Sequence, residues 1–266
     1  MVSTLRKRIA VALGVAALLA ADVAPAVARP VGSVEGLRRD TEAIRALGVS
    51  GVQARVVAAD GRQSVAVSGT ADLGTGRPVS SEGFFRMAST SKTLVAVVVL
   101  QLEAEGRLSL DDSVERWLPG VVRGNGNDGG RITVRQLLQH TSGIHDDLPG
   151  YGTPEEYYRQ RYDVHEPEEL VARAMAHAPD FAPGEGWAYS NTGYVLLDMV
   201  VERVTGRRAH EEIGDRVLRP AGLDRTRWLG TSPSLPRPHA RAYQFFGPGA
   251  RVDVTDQVTV DYGNLS

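Results

Sequence analysis

One stretch of the chain, residues 90–105, constrains the fold more than any other. Its sequence, TSKTLVAVVVLQLEAE, is apolar on nearly all sides, and such a segment is stable only when it is buried. The run of β-branched residues also fits a strand, but sixteen residues is the length of a helix. Gly106 follows, and glycine commonly terminates helices. We therefore predict a buried helix that begins near Thr90.

The remaining pattern predicts an α+β protein. Residues 52–58 and 63–68 alternate in polarity around Asp60-Gly61, which is typical of an antiparallel hairpin. Further helices are predicted at residues 133–140 with a Thr133 cap, after the capping box Thr153-Pro154-Glu155-Glu156, at residues 166–178, and at residues 191–205 closed by Gly206. Short β-like stretches return at residues 240–246 and 251–260.

Charge and cysteine content exclude several classes of function. The formal net charge is −2, which argues against an electrostatic nucleic-acid binder. The chain has no cysteine, so disulfide scaffolds and thiolate nucleophiles are excluded. His140, His145, Asp146 and Asp147 are close in sequence, but no second cluster supplies further ligands, and Ser142, His145 and Asp146 are too close together to be read as a triad. We predict no metal, no cofactor and no nucleic-acid partner.

The N-terminus has the pattern of an export signal. Arg6, Lys7 and Arg8 precede an apolar run, residues 9–21, and Ala26-Val27-Ala28 is a small-x-small cleavage site. The run is shorter than the ~20 apolar residues needed to span a bilayer. We expect residues 1–28 to be a signal peptide and residues 29–266 to be a secreted or cell-envelope chain without a membrane span. An uncleaved N-terminal anchor is the alternative.

Lysine is used only twice in the chain, as Lys7 and Lys92, whereas arginine is used throughout. Arginine is permanently charged, but a buried lysine can lose its proton and act as a base. Ser89 lies three residues before Lys92, on the same face of the predicted helix. A serine hydroxyl is a weak nucleophile until a neighbouring base removes its proton. The alternative is a capping serine beside a surface lysine.

Tyr189 and Asn191 occupy a second loop-to-helix junction about a hundred residues later. A tyrosine hydroxyl near an ammonium group can carry protons, and an asparagine amide can bond both a lysine and a substrate amide. The structural alternative is a half-buried tyrosine with Asn191 as the N-cap. The two motifs together, each at a helix entry, are more specific than either alone.

Four segments carry a resemblance to a known family: Phe85–Thr93 (FRMASTSKT), Gly106–Asp112 (GRLSLDD), Leu137–Gly143 (LLQHTSG) and Tyr189-Ser190-Asn191. They are similar to those of the class C β-lactamase and serine D-alanyl-D-alanine carboxypeptidase group. The resemblance runs from about residue 52 to residue 239.

The resemblance implies a β-lactamase/transpeptidase-like fold: an antiparallel sheet with flanking helices, and a helical domain at about residues 107–235. It also implies that Ser89 is the acylated nucleophile, that Lys92 activates it, that Tyr189 is a second proton carrier and that Asn191 orients Lys92 and the substrate. Residues 29–266 would then form one serine hydrolase domain.

The chain departs from this family after Asn191. Family members carry a third motif there, Lys or His followed by Thr or Ser and then Gly, on a strand beside the nucleophile, and this sequence has none. That strand normally supplies one of two oxyanion-hole donors. Members also continue with further strands and a C-terminal helix, so we expect the chain to be truncated relative to them.

Three functions follow from these observations. The first is an exported serine D-alanyl-D-alanine carboxypeptidase that acts on peptidoglycan peptides. The second is an esterase or β-lactamase that uses the same residues, because pocket contacts decide the substrate. The third is an inactive truncated fragment. The first two require a peptide or small-molecule substrate.

Overall fold

The computed structural model describes residues 34–249 and 251–258. The predicted signal peptide, residues 1–28, lies outside these residues. In the part of the chain that is described, no helix is both long and apolar enough to cross a membrane.

Helices dominate the secondary structure. They are α1 (Val34–Ala46), α2 (Ser91–Ala104), α3 (Val114–Trp117), α4 (Val134–Leu138), α5 (Pro154–Gln160), α6 (Pro167–Met175), α7 (Asn191–Thr205) and α8 (Ala209–Ile213). A 3₁₀ turn (Ala88–Thr90) precedes α2 and a π-helical turn (Gly214–Leu218) follows α8. The strands are β1 (Gly51–Val57), β2 (Gln63–Asp72), β3 (Arg77–Pro78), β4 (Arg123–Gly124), β5 (Asn127–Asp128), β6 (Tyr243–Gln244) and β7 (Val252–Asp253).

The described residues divide into two compact units, one that ends at Gly69 and one that begins at Thr70. In the first, β1 pairs antiparallel with β2 from Gly51↔Gly69 to Val57↔Gln63. This is the predicted hairpin, and Gly61 has a positive φ of 82° in its turn. Helix α1 packs against β1. Helix α1 was not predicted, although Val34, Leu37 and Ile44 recur at helical spacing.

The second unit is built around α2 and α7, which pack against each other. The prediction of a buried helix is confirmed, since Val95, Val98, Val99 and Leu102 are each at most 1% exposed. At its end the N–H groups of Gly106 and Arg107 bond the carbonyls of Glu103 and Leu102. These are the two bonds of a Schellman motif, which explains why α2 ends just before Gly106.

Helix α7 has the predicted bounds, Asn191–Thr205. Ser190 is its N-cap, because its Oγ accepts from the N–H of Gly193 at 3.0 Å. Gly206 adopts the left-handed conformation that ends the helix. Asn191 is therefore the first helical residue, not the cap, and its side chain is available for other contacts.

The other predicted elements differ in detail. Thr133 and Gln136 form a reciprocal capping box at α4. At α5, Thr153 accepts from the N–H of Glu156, but the Glu156 carboxylate bonds the N–H of Gly152, so the predicted box is only half formed. The late β-like stretches reduce to the short antiparallel pair β6–β7.

Two glycines with the same φ of 76°, Gly143 and Gly206, differ in their surroundings. A Cβ on Gly143 would lie 2.0 Å from the carbonyl oxygen of Phe181, whereas a Cβ on Gly206 would meet no atom within 4 Å. We expect Gly206→Ala to lower the free energy of unfolding by about 1 kcal/mol, from backbone strain alone. Gly143→Ala should lower the free energy of unfolding by a further amount of about 1–3 kcal/mol, because the added methyl group overpacks against Phe181. Urea unfolding of both variants measures the difference, and equal losses would contradict the close approach at Gly143.

Candidate active site

Ser89 lies in the 3₁₀ turn that leads into α2, and its side chain is exposed. The preceding residue, Ala88, has a positive φ of 46°, which is unusual for a residue with a Cβ. Such strain is found most often at functional sites. The turn thus presents the Ser89 hydroxyl to solvent at the N-terminal end of a buried helix.

Lys92 lies one turn further on and is only 6% exposed. Its Nζ is 3.3 Å from Ser89 Oγ and donates to Asn191 Oδ1 at 2.9 Å. It also lies 4.9 Å from the centroid of the Tyr189 ring and 5.5 Å from that of Tyr194, distances that allow cation–π attraction. The structure therefore brings the four predicted site residues together around one ammonium group. Tyr194, on α7, was not predicted.

Tyr189 is 43% exposed and stacks on His140, with ring centroids 4.6 Å apart. His140 has a positive φ of 61°, and its Nδ1 accepts from the N–H of Ser190 at 3.1 Å. Burial first, and then the nearby charge of Lys92, lowers the pKa of His140 below its usual value. The neutral ring is the form that accepts at Nδ1. His140 therefore supports Tyr189 and the start of α7.

Asp146 makes contacts with the start of α7 that were not predicted from the sequence. Its carboxylate accepts from the backbone N–H of Asn191 at 2.7 Å and from Asn191 Nδ2 at 2.7 Å. It also accepts from the N–H and the hydroxyl of Thr192, at 2.9 and 3.2 Å. The sequence pointed to Asp146 only as a metal or triad candidate, and its partners are 45 and 46 residues away along the chain.

The neighbours of Asp146 make separate contacts. His145 bonds Asp180 through Nδ1 at 2.8 Å, and its ring lies tilted against that of His177. Asp147 bonds Arg173 at 2.8 Å. Within residues 34–249 and 251–258, no group of three or more His, Asp or Glu side chains is arranged to hold a metal ion.

Comparison with known proteins identifies the family. The β-lactamase family matches residues 37–264. The chain is 34% identical over 164 residues to penicillin-binding protein 4* of Bacillus subtilis, covering 60% of this chain and 34% of that protein. It is 38% identical over 171 residues to esterase EstB of Burkholderia gladioli, covering 58% of this chain and 41% of that protein. The chain thus spans about two fifths or less of these relatives.

Two solved structures are similar over most of the chain. A D-stereospecific amidohydrolase from Streptomyces sp. has a TM-score of 0.78 and 40% identity, covering 85% of this chain and 66% of the other. The D-amino acid amidase of Ochrobactrum anthropi SV3, complexed with D-phenylalanine, has a TM-score of 0.68 and 28% identity, covering 79% of this chain and 56% of the other. The α+β, β-lactamase/transpeptidase-like fold predicted from the sequence is confirmed. The chain belongs to the β-lactamase family.

Proposed function

We propose that the protein is a serine hydrolase that cleaves amide bonds of D-amino acid derivatives through an acyl-enzyme on Ser89. One observation carries the proposal: the ammonium group of Lys92 is buried between Ser89 Oγ and Asn191 Oδ1. An exposed hydroxyl beside a buried lysine is the arrangement that makes a serine nucleophilic. The predicted roles of Ser89, Lys92, Tyr189 and Asn191 are part of this proposal.

The reaction follows from these contacts. Lys92, in its neutral form, takes the Ser89 proton as Oγ bonds to the substrate carbonyl carbon. The C–N bond then breaks, and the departing amine receives a proton from Lys92, with the Tyr189 hydroxyl as a carrier. Water then adds to the acyl carbon and gives a proton to Lys92. The C–Oγ bond breaks, Lys92 returns the proton to Ser89 Oγ, and the acid is released. The N-terminal end of α2 favours the negative charge that develops near Ser89.

The similarity to a D-stereospecific amidohydrolase and a D-amino acid amidase supports a substrate of D configuration. The D-alanyl-D-alanine carboxypeptidase reaction predicted from the sequence belongs to this class, because the acyl group transferred to serine is a D-alanyl residue. The similarity to an esterase supports ester turnover as the second candidate. The export pattern in residues 1–28 supports a secreted or cell-envelope location.

A direct test compares stereoisomers. We expect the purified chain to hydrolyse D-phenylalanine p-nitroanilide at least about tenfold faster than the L form, because pocket contacts set such ratios. A D-alanyl-D-alanine peptide and a p-nitrophenyl ester, assayed in parallel, separate carboxypeptidase from esterase action. Intact mass after incubation with benzylpenicillin should show one covalent adduct. Faster L hydrolysis would contradict the D preference, and absence of both adduct and turnover would contradict the acyl-enzyme.

A further inference from the structure

We propose that Asp146 is a positioning residue: it fixes which end of the Asn191 amide faces Lys92, and through Asn191 it holds Lys92 in place beside Ser89. The inference rests on the proposed function, since it assigns a role within that site. Asp146 acts through Asn191 and does not itself touch Ser89 or Lys92 in the contacts described above.

The donors and acceptors around Asn191 determine the orientation of its amide. A carboxylate only accepts hydrogen bonds and an ammonium only donates them, whereas an amide has one accepting and one donating end. With Asp146 on one side at 2.7 Å and Lys92 on the other at 2.9 Å, only one orientation of the amide satisfies both. Its Nδ2 must face Asp146, and its Oδ1 must face Lys92.

The carboxylate itself is held in place. Asp146 Oδ1 accepts from the backbone N–H groups of Asn191 and Thr192, in the first turn of α7. These N–H groups have no partner within the helix, and a negative charge is favourable at this end. Helix α7 therefore fixes Oδ1, which leaves Oδ2 directed at the Asn191 side chain.

Replacing the Asp146 carboxylate with an amide removes the acceptor of Asn191 Nδ2. In Asp146→Asn, the remaining oxygen is needed for the two backbone N–H groups, so an NH₂ group faces Asn191 Nδ2. Two donors then oppose each other, and Asn191 turns its own NH₂ toward Lys92. Lys92 then loses Asn191 Oδ1 as an acceptor, and a neutral Lys92 amine would direct its lone pair at that NH₂ group instead of at Ser89 Oγ.

The test compares D146N with D147N by stopped-flow acylation with benzylpenicillin. Asp147 is the matched control, since its carboxylate bonds Arg173 and His177 and not Asn191. We expect D146N to acylate about 10²-fold more slowly, the usual effect of misplacing a reacting group. We expect D147N to stay within threefold of the wild type. Similar rates for D146N and wild type, or equal losses in both variants, would overturn the proposal.

A double-mutant cycle separates positioning from general stability. If Asp146 acts only through Asn191, then D146N/N191A should acylate no more slowly than N191A alone. A further drop in the double variant, of the size seen for D146N alone, would show that Asp146 supports the fold rather than the amide.

A measurement on the wild-type chain covers the case in which D146N does not fold. In ¹⁵N-labelled protein, the Nδ2 protons of Asn191 are identified as the pair absent from N191A. One of them should be shifted downfield and exchange slowly, because it bonds a carboxylate. Two rapidly exchanging protons would overturn the proposal. This readout needs no activity, so a wild-type chain that takes no benzylpenicillin would contradict the proposed function alone.

Discussion

Replacing Ser89 with alanine is expected to abolish covalent labelling by benzylpenicillin and to lower amide turnover by a factor on the order of 10⁵–10⁶. Loss of the nucleophile has an effect of this size in another serine hydrolase. Ser89 is exposed and its Oγ is 3.3 Å from the only lysine among the described residues. Its removal therefore changes the chemistry and leaves the core untouched. Intact mass after labelling, together with steady-state kinetics, measures the effect.

Thr90 provides the matched control for this variant. It is also exposed, it carries a hydroxyl in the same turn, and its side chain makes no capping bond to α2. Thr90→Ala should take up the label at a rate near that of the wild type. Labelling of the Ser89→Ala chain would show that the nucleophile is a different residue.

Lys92→Arg is expected to slow acylation by about 10²–10⁴-fold although it keeps the positive charge. General base catalysis contributes a factor of this size, and an arginine side chain does not give up its proton. The guanidinium must also fit a site where Lys92 is 6% exposed between Ser89 and Asn191. Single-turnover acylation followed across pH measures the loss.

Lys92→Ala distinguishes the roles of charge and base. If the base is essential, the alanine and arginine variants should acylate at similarly low rates. An arginine variant that keeps most of the wild-type rate, while the alanine variant loses it, would show that Lys92 supplies only charge. Circular dichroism of both variants checks that the helix content of the chain is retained.

The elements that carry the four predicted residues could be derived from the sequence because their signals are local. The apolar length of α2, its glycine stop and the Gly206 end of α7 lie within a few residues of the helices they define. No local signal shows that the motif of Ser89 and Lys92 and the motif of Tyr189 and Asn191 belong to one site. That prediction came from the family resemblance. The two motifs meet at the Lys92 ammonium group because α2 and α7 pack against each other.

The contacts of Asp146 and His140 could not be predicted from local sequence signals. Asp146 and His140 contact residues that are 45 to 50 positions away in the chain. In the sequence, His140, His145, Asp146 and Asp147 form one polar cluster, and only the fold shows that they face different partners. The positive φ angles of Ala88 and His140 could not be predicted from the sequence either, because a positive φ is uncommon for any residue with a Cβ.

The loop between His140 and Asp146 has a consequence for protein engineering. Its two ends hold adjacent residues, since His140 bonds Ser190 and Asp146 bonds Asn191. Between them, Gly143 passes so close to Phe181 that a side chain has no space. A loop tied at both ends and pressed against a neighbour in the middle has a defined length. Loop exchange with a relative should therefore keep both the number of residues and the glycine, and libraries that vary loop length are better directed at other connections.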